Sequence, residues 1–287
     1  MPPEAFLIAE SGATKTTWMA VLEGKAQVLH QGPGLNPNAV AQAVIEKELH
    51  ILKGKTQQIG PITELFFYSA GLRKEAVREH MRGLMGPYFP QLTVEMYTDL
   101  DAAIRSTGRK TGLVGILGTG SNAAFYRAHQ LEKSRGGHGY LMGDEGSGMD
   151  LGKHLLKAAL EGRLEEKAIS EFCQLTGEAL LATRTKIYQS AKPAFTMAAL
   201  APFVKELLHY PTVREMVRER FRLFLTTTFL QMSEARTYPI DLVGGISEHF
   251  SAEIRTVMQD LELEIGNFMA NPIEGLVQYH LHTSLAR

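Results

Sequence analysis

Apolar and polar residues alternate along the chain in blocks that predict strands and helices in a regular order. An apolar run at residues 5–9 predicts a buried strand, and two further runs at 18–22 and 26–31 predict a hairpin around the polar turn 23–25. Apolar positions at helical spacing and short β-type runs then alternate. They predict a helix at 39–52, a strand at 65–68, a helix at 75–85, a strand at 92–97 and a helix at 99–106.

A second series with the same three-strand opening begins after the polar, glycine-flanked segment 108–112, which we interpret as a hinge. The predicted elements are strands at 113–117, 123–126 and 130–134, a mostly helical region at 149–235 with its strongest pattern at 213–235, a strand at 240–243, a helix at 253–261, a strand at 263–265 and a terminal helix at 272–285 that begins with Asn271 as N-cap and Pro272. We therefore predict two domains, 1–108 and 109–287, with the segment 272–287 packing back on the first.

Two loops rich in small and hydroxyl residues follow predicted buried strands directly. Residues 10–16 read Glu-Ser-Gly-Ala-Thr-Lys-Thr, and residues 118–122 read Gly-Thr-Gly-Ser-Asn. Glycine has no Cβ, so backbone N–H groups in such a turn can converge on an anion. The first loop lacks the spacing of a Walker phosphate loop, and a plain polar turn remains the alternative for each. Two such loops in one chain favour two half-sites for one polyphosphate.

Acidic residues lie beside these loops and elsewhere at predicted strand ends. Glu10 is either a solvated edge charge or a contact to Mg²⁺ through water, since magnesium keeps much of its hydration shell. Asp99 opens a helix, and its local pattern favours an N-cap over a general base for a substrate hydroxyl. Asp101 fits a first-turn charge that the helix dipole favours.

Two glycine-rich segments in the second half add candidate contacts. Residues 136–148 hold Asp144 and Glu145, adjacent carboxylates that suit the vicinal hydroxyls of a sugar. The alternatives are a flexible linker or a calcium loop, and the latter lacks the alternating oxygen ligands of an EF-hand. The glycine pair at Gly244 and Gly245 follows a predicted strand and would let a nucleotide base or ribose approach the backbone.

Composition narrows the class of protein. The chain has 287 residues, 44% hydrophobic and 21% charged, and a formal net charge of −1, so it offers no electrostatic case for nucleic acid or an anionic membrane. Cys173 is the single cysteine, which excludes an intrachain disulfide and a metal site built from cysteines of one chain. With no leader-like basic segment before Phe6, we expect a soluble, cytoplasmic protein.

In this order the motifs resemble the sugar kinase/actin/heat-shock ATPase superfamily. More narrowly, they are similar to the N-acetylglucosamine kinase branch of the family that includes the BadF/BadG-type ATPases. The resemblance is carried by residues 7–16, 34–37, 98–99, 116–122, 141–148, 243–245 and 272–276. It implies an α/β fold of two ribonuclease H-like (actin-like ATPase) lobes around a central cleft. It also implies ATP-dependent phosphorylation of an amino sugar, N-acetylglucosamine at its 6-hydroxyl.

The resemblance also implies a role for each matching residue. Asp99 matches the aspartate that takes the proton from the sugar hydroxyl, which outweighs the preference for an N-cap. Sugar-binding positions are matched by Asn36, Ser121, Asn122, Gly137, His138, Gly139 and Asp144. Positions that bind ATP are matched by Ser11, Gly12, Thr14, Lys15, Thr16, Gly118, Thr119, Gly120, Gly244 and Gly245. Magnesium would be held by Glu10, through water.

Two departures and several alternatives accompany the resemblance. Glu10 stands where the family usually has aspartate, and Pro37-Asn38 follows Asn36 where some relatives have an aromatic residue. A kinase for another hexose or amino sugar, such as glucosamine or N-acetylmuramic acid, remains open, as does a non-catalytic regulator that binds sugar and ATP. We expect a homodimer.

Overall fold

The computed structural model describes residues 5–284, which fall into two compact units. Unit 1 comprises residues Met1–Arg109 together with Pro272–Arg287, and unit 2 comprises Lys110–Asn271. Within the described residues no helix is both long and apolar enough to cross a bilayer.

The secondary structure alternates between short strands and helices, with a long helical region in unit 2. In chain order the elements are β1 (Ala5–Ser11), β2 (Lys15–Leu22), β3 (Lys25–Pro33), α1 (Gln42–Thr56), β4 (Glu64–Ser69), α2 (Glu75–Met85), β5 (Thr93–Thr98), α3 (Asp99–Ser106), β6 (Thr111–Leu117), β7 (Ser121–Arg127), β8 (Gln130–Gly136), α4 (Gly148–Leu160), α5 (Glu166–Thr176), α6 (Leu180–Gln189), α7 (Pro193–Ala198), α8 (Ala201–Glu206), α9 (Pro211–Thr227), β9 (Ile240–Val243), α10 (Gly245–His249), α11 (Ser251–Asp260), β10 (Ile265–Met269) and α12 (Ile273–Ser284). Short 3-10 helices lie at Leu207–His209, Phe229–Gln231 and Ser233–Arg236.

Each unit contains a five-stranded mixed sheet, and the two sheets have the same order. Unit 1 has the order β3-β2-β1-β4-β5, and unit 2 has the corresponding order β8-β7-β6-β9-β10. In both, the first strand of the series pairs antiparallel with the second and parallel with the fourth. In unit 1 the last residues of β1, β4 and β5 lie in register, since Ser11 pairs with Ser69 and Ser69 with Thr98. The loops that leave these strands therefore emerge at one edge of the sheet.

Alternation along β1 distributes its side chains between two cores. Leu7 and Ala9 lie in a cluster with apolar residues of α1 and α2 on one face of the sheet. Phe6 and Ile8 lie in a second cluster on the other face, which Ala102 of α3 and residues of α12 complete; the α12 residues are Ile273, Leu276 and Val277. The last helix of the chain is thus part of the core of unit 1.

The predicted helix at 213–235 ends earlier than its apolar stripe suggests. Helix α9 stops at Thr227, although Phe229 and Met232 beyond it remain buried in the core of unit 2. Three consecutive threonine hydroxyls donate back to carbonyls of the preceding turn: Thr226 to Arg222 O at 2.9 Å, Thr227 to Leu223 O at 2.8 Å and Thr228 to Phe224 O at 2.6 Å. Such back-bonding competes with the helix and bends it, which explains the break at this point.

The remaining predicted elements agree with the structure except near the C-terminal end of unit 2. Helices α2 and α3 have the predicted bounds, and most other elements shift by one to four residues. The strand predicted at 263–265 is wrong, because β10 begins only at Ile265 and is half-buried, which leaves little alternation to detect. It is anchored by buried Asp241, whose carboxylate accepts the Asn267 N–H at 2.7 Å. Leu285 of the predicted terminal helix lies outside the described residues.

The close packing of α12 on α3 can be tested at Gly275. A Cβ there would meet the backbone of Ser106, 2.7 Å from its Cα, so we expect Gly275→Ala to lower the free energy of unfolding by about 2 kcal/mol. Gly54 in α1 has open space around it, and Gly54→Ala should instead raise that free energy by up to about 1 kcal/mol through helix propensity. Urea denaturation of both variants measures the difference, and a stabilising Gly275→Ala would contradict the close contact.

Candidate active site

The first predicted phosphate loop is a tight hairpin between β1 and β2. Its base is closed by Gly12, whose N–H donates to Lys15 O at 3.0 Å. The side chains of Thr14 and Lys15 are exposed at the tip. A hydroxyl and an ammonium group, together with the backbone of a short turn, are suitable donors for a phosphate oxygen.

Ser11 and Thr16 lie beneath this hairpin instead of on its surface. Both side chains are buried, with 0% exposure, and the Thr16 hydroxyl lies 2.9 Å from the Ser11 hydroxyl and 2.8 Å from Pro33 O. Ser11 Oγ also accepts the Leu35 N–H at 2.8 Å. The expectation that the Thr16 hydroxyl contacts a phosphate is therefore wrong, because it is engaged inside the fold. The pair instead fixes the segment 33–35 to the hairpin.

The segment that carries Asn36 is packed closely on the same hairpin. A Cβ on Gly34 would lie 2.5 Å from Gly12 O and 2.7 Å from Ala13 O, so only glycine allows the two backbones to approach this far. On its other side the carboxamide oxygen of Asn36 packs against Gly71, in the loop after β4. The fold thus brings Asn36, predicted as a sugar contact, to the sheet edge where the hairpin emerges.

Asp99 is the first residue of α3, and the capping of that helix leaves its carboxylate available. Thr98 is the N-cap: its hydroxyl accepts the Asp101 N–H at 3.1 Å, and the Asp101 carboxylate accepts the Thr98 N–H at 2.9 Å in return. The Asp99 carboxylate accepts the neighbouring Leu100 N–H at 3.0 Å and the N–H of its own residue, and among the described residues it caps no N–H further along the helix. The N-cap alternative for Asp99 is therefore wrong.

Burial sets the protonation of Asp99. Removal from water raises the pKa of this carboxyl, while the Leu100 N–H and the positive charge of Arg73 act in the opposite direction. A carboxylate with a raised pKa is a stronger proton acceptor than an exposed aspartate.

Glu10 lies close enough to Asp99 for the two charges to interact. Burial, followed by the negative charge of Asp99, raises the pKa of Glu10 to about 7, and Lys15 opposes this shift. Lys15 only partly compensates the repulsion between these two carboxylates, which a bound cation would relieve further.

The residues present fit a magnesium ion held through water. No group of three or more metal-ligating His, Cys, Asp or Glu side chains occurs in the region 5–284. Magnesium binds through one or two carboxylates and keeps several waters when phosphate oxygens complete its shell, and the Glu10–Asp99 pair matches that requirement.

In unit 2 the second predicted loop lies against the start of α4. Gly118 N–H donates to Gly120 O at 3.0 Å, and the Gly148 N–H donates to Gly118 O at 2.8 Å. Asp144 lies beside the loop: it accepts backbone N–H groups of Ser121 and Gly139, and a Cβ on Gly120 would lie 2.9 Å from its Oδ2. Burial is the main cause that raises the pKa of Asp144.

The other predicted residues of unit 2 emerge at the same sheet edge. Gly137 N–H donates to Ser121 O at 3.1 Å, and a Cβ on Gly137 would lie 2.9 Å from Asn122 Nδ2. His138 and Gly139 follow as exposed residues. At the end of β9, Gly244 has φ +124° and approaches Leu117, with Gly245 exposed beside it. Thr119, whose carbonyl accepts the Met149 N–H at 3.3 Å, completes the set.

A buried ion pair that the sequence did not reveal holds the glycine-rich loop of unit 2. Asp150, 1% exposed, accepts the Gly146 N–H at 3.0 Å and two bonds from the Arg220 guanidinium at 2.7 and 3.3 Å. Burial opposes ionisation of Asp150, yet the bonds from His154 and Arg220 outweigh it and lower the pKa to about 2. Arg220 lies 70 residues along the chain, so no local pattern signals the pair.

Comparison with known proteins supports the fold. No protein-family model matches the chain. Among solved structures, the "Putative N-acetylglucosamine Kinase" from Porphyromonas gingivalis superimposes with a TM-score of 0.91 at 28% identity, covering 97% of this chain and 99% of that one. A second protein of that name, from Chromobacterium violaceum, gives 0.71 at 19% identity, covering 97% and 99%.

A glucokinase of the ROK family from Streptomyces griseus, solved with glucose and AMPPNP, gives a TM-score of 0.60 at 13% identity, covering 96% of this chain and 97% of that one. The chain has the sugar kinase/actin-like ATPase fold. The superfamily resemblance inferred from the motifs is confirmed, and the duplicated strand order of a sugar kinase-like fold accounts for the repeated loop after β1 and after β6.

The raised pKa of Glu10 predicts a pH-dependent effect of Glu10→Gln on stability. Below the ordinary pKa of about 4.5 the carboxyl is neutral in both folded and unfolded chains, so the variant should have almost no effect. Between pH 4.5 and about 7 the unfolded chain ionises while the folded protein keeps the proton, so the variant gains stability relative to the wild type and reaches the full difference of about 3 kcal/mol above pH 7. Thermal unfolding at pH 5 and pH 8.5 measures this; an equal effect at both would contradict the shift.

Proposed function

We propose that this protein is an ATP-dependent sugar kinase that phosphorylates an amino sugar, N-acetylglucosamine at its 6-hydroxyl. The observation that carries the proposal is Asp99: a half-buried carboxylate with a raised pKa, not used for helix capping and placed at the sheet edge with a hairpin suited to phosphate. The similarity to the P. gingivalis protein, at 28% identity over 97% of the chain, supports the substrate class.

In this proposal Asp99 orients the sugar hydroxyl and accepts its proton as the oxygen attacks the terminal phosphorus of ATP. The bond between that phosphorus and the bridging oxygen breaks, and ADP leaves. General-base assistance of this kind contributes about 10²–10⁴-fold. Phosphoryl transfer otherwise needs positioning and stabilisation of charge on the phosphoryl oxygens, for which Thr14, Lys15 and the hairpin backbone are the candidates in unit 1. A magnesium ion contacted by Glu10 through water would neutralise further phosphate charge.

Unit 2 contributes the remaining predicted contacts to this proposal. Asp144 is suited to accept hydrogen bonds from sugar hydroxyls, because two backbone N–H groups already orient it. Ser121 and Asn122 begin β7 beside it, next to Gly137, His138 and Gly139. Thr119 with Gly118 and Gly120 is assigned to phosphate, and Gly244 with Gly245 to the adenosine. A cytoplasmic homodimer remains part of the proposal.

Replacement of Asp99 by asparagine tests the base directly. Asp99→Asn keeps the shape but removes the proton acceptor, so sugar-dependent release of ADP should fall by about 10²–10⁴-fold while ATP binding is retained. Asp101→Asn is the matched control: it weakens the capping box of the same helix and should cost stability with little loss of turnover. Normal turnover by Asp99→Asn, measured by a coupled ADP assay with calorimetric ATP binding, would overturn the assignment.

A panel of acceptors in the same coupled assay identifies the substrate. We expect the highest kcat/KM with N-acetylglucosamine, below it glucosamine, N-acetylmuramic acid and glucose, and almost no ADP without sugar. If another sugar gives the highest kcat/KM, the proposed substrate is wrong but the proposed kinase activity stands. Sugar binding without any ADP release would instead favour the regulator, and with it a role for Asp99 in binding alone.

A further inference from the structure

The side chain of Asn36 is held in one orientation by its own turn. Its Oδ1 accepts the Asn38 N–H at 2.9 Å, and its backbone carbonyl accepts the N–H groups of Ala39 and Val40 at 2.9 and 3.1 Å. The amide nitrogen of asparagine is not an acceptor, so a backbone N–H at this position requires the oxygen to face it. Pro37 between the two asparagines favours this turn.

Gly71 and Asn38 hold the carboxamide from the other side. The Asn38 amide nitrogen donates to Gly71 O at 3.1 Å, which ties the Asn36 turn to the loop after β4. Gly71 has φ +89°, and a Cβ there would collide with Asn36 Oδ1 and lie 2.5 Å from Asn38 Nδ2. The Asn36 Oδ1 therefore packs directly on the backbone of Gly71, and any side chain at position 71 would displace it.

The amide nitrogen of Asn36 is left facing away from these contacts. The residue is half-buried, and its Nδ2 donates to no protein group within residues 5–284. An oriented N–H donor at a partly desolvated position is suited to a single acceptor on a ligand.

We propose that Asn38 and Gly71 are positioning residues that fix the Asn36 carboxamide so that it donates, through Nδ2, to an acceptor oxygen of the sugar. The inference rests on the proposed function, since it takes Asn36 as a sugar contact. The protein thus fixes Asn36 as the hydrogen-bond donor of this contact before the sugar binds. Asn38, two residues after Asn36, acts through its hydrogen bond to Gly71 and not by contact with the sugar.

The test measures KM and kcat for the best sugar of the panel, and KM for ATP, in two positioning variants. Gly71→Ala should raise the sugar KM about 10-fold, and Asn38→Ala about 3- to 10-fold, with kcat at saturating sugar and the ATP KM within about twofold of wild type. Asn38→Ala introduces no backbone strain, so it remains informative even where Gly71→Ala fails to fold.

Two control variants separate positioning from general damage. Gly60 has φ +101° with open space around it, so Gly60→Ala imposes a similar backbone strain without touching Asn36. Gln58→Ala removes an exposed amide elsewhere in unit 1. Both controls should keep the wild-type sugar KM. A sugar KM that changes equally in Gly71→Ala and Gly60→Ala, with no change in Asn38→Ala, would overturn the positioning role.

The polarity of the contact is tested by Asn36→Asp. The aspartate can still accept the Asn38 N–H, so the turn is preserved while the outward donor becomes an acceptor. We expect the sugar KM to rise at least 10-fold, and an unchanged or lower sugar KM would overturn the donor assignment. If the wild type itself turns over no sugar, the proposed function fails, which is distinguishable from failure of this inference in an active enzyme.

Discussion

The Ser11 hydroxyl is the point at which the candidate site of unit 1 is joined together. It closes β1, bonds the Thr16 hydroxyl at the start of β2, and accepts the Leu35 N–H beyond the end of β3. Because all of these groups are buried, each needs its partner, and removal of one leaves the others unsatisfied away from water. The hairpin and the asparagine turn are therefore held as one body, and their separation does not depend on a ligand.

Two acidic side chains of the candidate site, Glu10 and Asp99, lie where they reduce the stability of the fold. Glu10 and Asp99 carry like charges in a partly buried position, and the charge of Asp99 adds to the burial that makes Glu10 hard to ionise. In unit 2 the contrast is clear, since buried Asp150 has a full set of partners and remains an anion with its pKa lowered to about 2. Buried carboxylates with raised pKa values are typical of functional sites, whereas a fully paired carboxylate such as Asp150 is typical of a structural framework.

Much of this arrangement follows from local sequence, and the part that does not depends on contacts between distant residues. The step from strand to helix at Asp99 was predictable because the patterns of β5 and α3 are local, although the cap proved to be Thr98. The end of α9 at Thr227 was not predictable, because the apolar side chains continue at helical spacing through the following 3-10 turns, where they are also buried. Burial of Thr16 and the contacts of Gly71 depend on partners 17 and 35 residues away, for which no local signal exists.

The packing of α12 on unit 1 has a consequence for how the protein is made. The sheet face formed by Phe6, Ile8 and Phe66 is covered by Ile273, Leu276 and Val277, which follow the whole of unit 2 in the chain. During synthesis on the ribosome this apolar face is therefore without its cover while residues 110–271 are being translated. Unit 2, whose segment is continuous, can complete its core first. The half of the protein that carries the proposed catalytic base begins to emerge earliest and is the last to reach its finished form.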